Sequence, residues 1–236
     1  MRNVFLETDN VRRFREAAQV LEDIEKGAPG LCVVHGRAGR GKTDCGKKYA
    51  VDHNAIYVRV LEDWTPRAML AEVCYSINRT RPASIEKCRN TIFHILDVSR
   101  RTLIIDEADR LRRVSMIEHF RDIHDVTGAP VILVGEQSLY AAMASRRRLW
   151  SRVTQTVEFG PIQTQDILLF GMRAADLKVS PDAGAMVGKR SGGDFRLIWQ
   201  DMRSLESMAR ASGTGQVTVE MAKQLPDRKP KPSLER

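Results

Sequence analysis

Residues 36–43 read GRAGRGKT and fit the pattern G-x-x-x-x-G-K-[ST] at every fixed position, a set of residue types suited to gripping a polyphosphate. Gly36, Gly39 and Gly41 let the backbone turn tightly with its amides pointing inward, so N–H donors can cradle a β-phosphate where side chains would collide. Lys42 reaches the β/γ oxygens as a point charge, and Thr43 offers its hydroxyl to Mg²⁺. Ala38, Arg40 and Asp44 complete the candidate nucleotide contact, with ATP and Mg²⁺ as the expected cofactors. A Gly-rich basic turn with no ligand is the competing reading, and the flanking sequence argues against it. LCVVH (31–35) is an apolar strand entering the loop, and residues 42–51 have helical character leaving it, so a helix N-terminus also faces the phosphates.

The complementary chemistry lies in TLIIDEAD (102–109), an apolar strand that ends in acids. Asp106 can hold Mg²⁺ through the ion's water shell, and Glu107 can polarise a water for in-line attack on a γ-phosphate. Asp and Glu also favour helix starts, so an acidic cap is the bland reading. The pairing with residues 36–43 favours catalysis.

These side chains need strands and helices to carry them. Residues 8–26 read as a helix capped by Thr8 or Asp9, with Val11, Phe14, Ala18 and Leu21 spaced around it and GAPG (27–30) closing it. AIYVRV (55–60) alternates as a strand, helices are expected over 66–78 and 84–98, and Arg79-Thr80-Arg81-Pro82 forms the turn between them. Ile117, Phe120, Ile123 and Val126 recur at helical spacing within 111–126 and are read as core, and GAPVILVG (128–135) is the next buried strand. Alternating apolar strands and helices imply an α/β fold, a mostly parallel sheet flanked by helices with ligand at the strands' carboxyl ends. SRRRLWSR (145–152) precedes a short strand, 154–159; an arginine at a subunit edge can reach a neighbour's γ-phosphate, an effect of about a thousandfold or more.

Past Pro161 the pattern changes to helices over 164–176, 181–189 and 194–211, which read as a small helical lid with Arg196 placed to fold over the nucleotide. The expected organisation is a nucleotide-binding core over 1–161, a lid over 162–224 and a charged, proline-rich, disordered tail over 225–236. The 236 residues carry a net charge of +8, which suits a polyanionic partner such as nucleic acid. There is no long apolar run and no charged-then-apolar leader, so no membrane association and a cytoplasmic location are expected. Cys32, Cys45, Cys74 and Cys88 show no C-x-x-C pairing and read as buried thiols, and the five histidines form no ligand set.

Together these pieces resemble an AAA+ ATPase over nearly the whole chain. GRAGRGKT and LIIDEAD resemble Walker A and Walker B, Ser151-Arg152 resembles the segment carrying the arginine finger, and GGDFR (192–196) resembles the sensor-two turn with Arg196 as the sensor. Within that class, the run from IIDEAD through IHDVTGAPVILVGEQSL (123–139) most resembles the DNA transposition ATPases, the B protein of phage Mu and its relatives TnsC, TniB and IstB. The resemblance implies a homo-oligomer that ATP assembles as a helical filament on double-stranded DNA, delivering target DNA to a transposase. It implies DNA contacts from loops after the second and third strands, matched here by Arg67, Arg79 and Arg81 and by Arg112 and Arg113. Trp64 can stack on DNA or pack in its loop. Arg152, immediately before a strand, matches the finger among Arg146, Arg147, Arg148 and Arg152. The usual sensor-one Asn, Thr or Ser is replaced by Glu136, Gln137 and Ser138, of which Gln137 is the candidate nucleotide contact. Competing expectations are a helicase loader or initiator-like ATPase of replication, a phosphate-loop kinase, and a scaffold that binds ATP without turnover.

Overall fold

The computed structural model describes residues 1–111 and 113–227. Five strands form one parallel sheet: β1 (Leu31–His35), β2 (Ile56–Arg59), β3 (Leu103–Asp106), β4 (Val131–Val134) and β5 (Val153–Glu158), in the order β2-β3-β4-β1-β5. Every residue of β1, β3 and β4 is buried, which is why LCVVH, LIID and VILV show no alternation: helices cover both faces. Edge strand β2 does alternate, with Ile56 and Val58 buried and Arg59 exposed.

The covering helices are α1 (Asp9–Glu22), α2 (Lys42–Asp52), α3 (Pro66–Asn78), α4 (Ile85–Ser99), α5 (Val114–Thr127), α6 (Gln137–Ala144) and α7 (Arg147–Trp150). Local capping sets several starts. Thr8, Thr65 and Ser84 each accept from the backbone N–H three residues on, and Pro66 opens α3 where a missing N–H is harmless. Met69, Val73, Ile92 and Phe120 pack with Val33, Ile105 and Leu133 in one buried cluster. These elements form the unit Glu7–Gly160.

A second compact unit joins Met1–Leu6 to the chain from Pro161 on. It holds α8 (Thr164–Ala175), α9 (Pro181–Ser191), α10 (Phe195–Ala211) and α11 (Val219–Lys223), with a parallel pair of two-residue strands, β6 (Lys178–Val179) and β7 (Gln216–Val217). Phe170, Ile198, Met202 and Leu205 form its core, and Leu6 is buried among them. The first six residues, expected in the core unit, therefore pack with the second.

Other expectations shift locally. Helix α1 stops at Glu22, not residue 26, because Ile24 N–H turns back to Leu21 O in a three-residue bond. Helix α5 starts at residue 114 because residues 108–110 form a separate 3₁₀ turn. Ile117, Phe120 and Ile123 are buried, but Val126 is 49% exposed and is not core. The four cysteines are free and buried, and burial pushes the Cys32 and Cys45 thiols up to about 12, which leaves them unreactive. Among the described residues no helix is long and apolar enough to cross a membrane.

His124 ties the end of α5 to the turn before β1. Its Nδ1 lies 2.9 Å from Ala129 O and its Nε2 3.0 Å from Ala28 O, with the ring 4% exposed. His124→Ala is expected to lower unfolding stability by about 1–3 kcal/mol, the cost of stranding the buried Ala129 carbonyl. Val126→Ala should change it by less than about 0.5 kcal/mol, because that side chain is half in water. Urea unfolding of the wild type and both variants measures the contrast.

Candidate nucleotide-binding site

The loop leaves β1 at Gly36, whose φ of +144° only glycine adopts freely and where a Cβ would sit 2.6 Å from Phe159 O. It ends at Gly41, φ +89°, which caps α2 without a side-chain hydrogen bond. The first amides of α2 thus have no capping side chain, which suits an anion. Lys42 lies across the loop, its Nζ donating to Gly36 O at 2.6 Å and Arg37 O at 2.9 Å. Burial pushes the Lys42 ammonium below the usual lysine range, while Glu136, Asp106, Asp109 and Glu107 act to raise it. Ala38 and Asp44 are exposed and Arg40 is buried.

Asp106, the last residue of β3, is 2% exposed and fully engaged. Its Oδ2 accepts from Thr43 Oγ1 at 2.9 Å and from the Tyr57 hydroxyl at 2.5 Å, and its Oδ1 accepts from Glu107 N at 3.0 Å. The bond to Asp106, after burial, pushes the Tyr57 phenol upward, so it stays a donor. A hydroxyl and a carboxylate this close suit Mg²⁺, whose shell is usually completed by water and substrate phosphate rather than by a protein cage. Among the described residues no group of three or more His, Cys, Asp or Glu could hold a metal ion by itself. The donor set therefore fits ATP with Mg²⁺, which when bound supplies a phosphorus centre open to attack by water.

Glu107 follows in the left-handed region, φ +57°, one residue beyond the strand. Arg59 Nη2 lies 3.1 Å from its Oε1 and Arg110 Nε 3.2 Å from its Oε2. Each Glu107 oxygen thus faces one arginine and keeps a lone pair for a water. Lys42, Thr43, Asp106 and Glu107 are thus brought together at the carboxyl ends of β1 and β3.

The other expected residues are placed separately. Gln137 Oε1 lies 2.8 Å from His35 Nδ1, Glu136 N donates to Asp109 Oδ1 at 3.0 Å, and Ser138 is exposed. Arg152 Nε donates to Asp125 Oδ1 at 2.7 Å, whereas Arg146, Arg147 and Arg148 are exposed and make no ion pair with the described residues. Arg196 belongs to the second unit, with its side chain 67% exposed and 3.7 Å from Asp194. Arg67 donates to Ala83 O at 2.7 Å, while Arg79 and Arg81 gather over the Tyr75 ring at 5.2 and 3.7 Å. Arg81 also pairs with Glu72. Arg113 is exposed at the start of α5, and Arg112 lies outside the described residues.

Tyr57, Arg59, Asp109 and Arg110 escaped sequence reasoning. The signal for the first two was available: polar residues at alternate positions of a strand place them on one face, and Arg59 is in register with Asp106.

A phosphate loop opening into a helix, with Thr43 and Asp106 joined at the carboxyl edge of a five-stranded parallel sheet, defines a P-loop nucleotide-binding domain. A family model described as an AAA domain matches residues 25–143, half of the chain, and the chain belongs to that family of P-loop ATPases. Solved structures share the fold at low identity. Cdc6p from Pyrobaculum aerophilum is 16% identical with a TM-score of 0.65, over 91% of this chain and 66% of that one. The Aeropyrum pernix ORC1 protein in complex with DNA is 20% identical with a TM-score of 0.60, over 92% and 64%. The Thermotoga maritima RuvB Holliday junction branch migration motor is 18% identical with a TM-score of 0.54, over 93% and 68%. The chain thus spans about two-thirds of the length of these structures. No curated protein sequence matches it.

Tyr57→Phe removes a donor from Asp106 without touching the phosphate loop. It is expected to raise the Mg²⁺ concentration needed for half-maximal ATP hydrolysis by roughly tenfold, as loss of a group orienting a metal ligand does. ATP binding in excess chelator should keep wild-type affinity.

Proposed function

We propose that this chain is an ATP-hydrolysing, DNA-associated AAA+ module of the replication-initiator or helicase-loader kind. The observation that carries the ATPase chemistry is the convergence of Lys42, Thr43, Asp106 and Glu107 at one sheet edge. Lys42 and the N-terminus of α2 hold the phosphates, Thr43 and Asp106 hold Mg²⁺, and Glu107 takes a proton from the attacking water. Residues 162–224 act as the lid, carrying Arg196. An arginine from a neighbouring copy completes the site; exposed Arg146, Arg147 and Arg148 are as available for this as Arg152, which must first leave Asp125. The initiator reading is supported by fold likeness to Cdc6p and to ORC proteins over more than nine-tenths of this chain, two of them solved with DNA. A net charge of +8 suits the same partner.

A second reading, delivery of target DNA to a transposase from a filament, is favoured by the run 123–139 and its resemblance to the transposition ATPases. Electron microscopy of the protein on double-stranded DNA separates the two. Discrete complexes formed only with ATP are expected for an initiator or loader, and continuous filaments for a transposition ATPase. Glu107→Gln should bind ATP, lose hydrolysis by about a hundredfold or more, and hold DNA longer. DNA binding by a monomer that ignores ATP sinks both readings.

A further inference from the structure

Beside the catalytic edge lies a cavity of about 280 Å³ lined by Asp63, Trp64, Thr65, Arg110, Arg113 and Met116. It sits where the loop after β2 meets the segment after β3. Its lining is mixed in an informative way. Trp64 and Met116 give it an apolar wall, and Trp64 packs against the main core, which fixes the indole. Arg110 and Arg113 supply cations, and Arg113 makes no ion pair with the described residues. Asp63 and Thr65 add an acceptor and a hydroxyl. A rigid aromatic beside paired guanidinium groups matches a planar ring that carries a phosphate. The volume is small for a drug-sized ligand and excludes a folded element.

One of the two cations is already committed to the catalytic machinery. Arg110 Nε lies 3.2 Å from Glu107 Oε2, so the same guanidinium faces the cavity and restrains the candidate base. An anion in the cavity competes with Glu107 for that guanidinium.

We propose that this cavity takes one unpaired nucleotide of a nucleic-acid strand, with its base on Trp64 and its phosphate on Arg113 and Arg110, and that occupancy loosens the hold of Arg110 on Glu107. The inference rests on the DNA-associated reading above and adds to it the unpaired state of the strand and a route from strand to ATP turnover. Stacking on one indole is tolerant of sequence, and the phosphate contact weakens with salt.

The chain has three tryptophans, and the double variant Trp150→Phe, Trp199→Phe leaves Trp64 as the only indole emitter. The probes are a single-stranded oligonucleotide of about a dozen thymidines, long enough to span one binding module, the matching duplex, and AMP. The oligonucleotide should quench Trp64 emission, and Arg113→Ala should weaken that binding roughly tenfold. ATP turnover should rise several-fold with the oligonucleotide, and Arg110→Gln should raise unstimulated turnover and remove the increment. Trp64→Leu, read by anisotropy of a labelled oligonucleotide in the otherwise native chain, should weaken binding alike if the double variant fails to fold. Equal quenching by duplex overturns the unpaired strand, and quenching by AMP but not by the oligonucleotide makes the site one for a free nucleotide. No quenching in a protein that ATP still retains on duplex overturns the cavity alone. Loss of all DNA retention overturns the reading beneath it as well.

Discussion

One carboxylate oxygen, Asp106 Oδ2, accepts from Thr43 on α2 and from Tyr57 on β2 while itself ending β3. The geometry of that joint depends on sheet register. Arg59 lies opposite Asp106, and Val34 opposite Val134, so strands β1 to β4 end at one edge. A slip of one residue in β3 would bring Ile105 to the place of Asp106 and turn the carboxylate away. Backbone pairing of β3 with β2 and with β4 carries this register. Pairing in the sheet therefore holds the polar joint, and the joint holds a buried charge that would be costly without its three donors.

The phosphate loop, the acidic strand end and the alternation of strands with helices were legible because each is a local pattern. Glycines at fixed spacing, a continuous apolar run and a 3.6-residue period all report on neighbours in the chain. What escaped was set by contacts distant in sequence. Helix α6 has only eight residues and begins without a side-chain cap, and β6 and β7 have two each, too short for a period to register. Tyr57 and Arg59 were visible as strand residues, but their bond to Asp106 and ion pair with Glu107 exist only through the β2–β3 pairing. Val126 keeps the helical spacing and still faces water, since periodicity locates a face without fixing how far along the helix the core extends.

The basic charge of the chain is not spread evenly over its function. Around Lys42 the carboxylates of Glu136, Asp106, Asp109 and Glu107 gather, so the nucleotide site is locally acidic and favours a cation alongside the phosphates. Arg59 and Arg110 pair with Glu107, and Arg113 is exposed at the start of α5.

The strength of the Glu107 restraint decides whether it acts as a lock or as a poise. The Arg59 side chain is 48% exposed, that of Arg110 34% and that of Glu107 25%, so water screens both pairs. Exposed pairs of this type contribute roughly 0.2–1 kcal/mol each, so the two together hold Glu107 by no more than about 2 kcal/mol. A base stacked on an aromatic ring contributes about 1–3 kcal/mol, which is of the same size. Pairs of that strength restrain Glu107 weakly enough for a single new contact to release it. A buried, fully desolvated pair could not have been tipped this way, because removing one partner there costs several kcal/mol. The partial exposure of these three side chains thus keeps the restraint on Glu107 within the energy of one new contact.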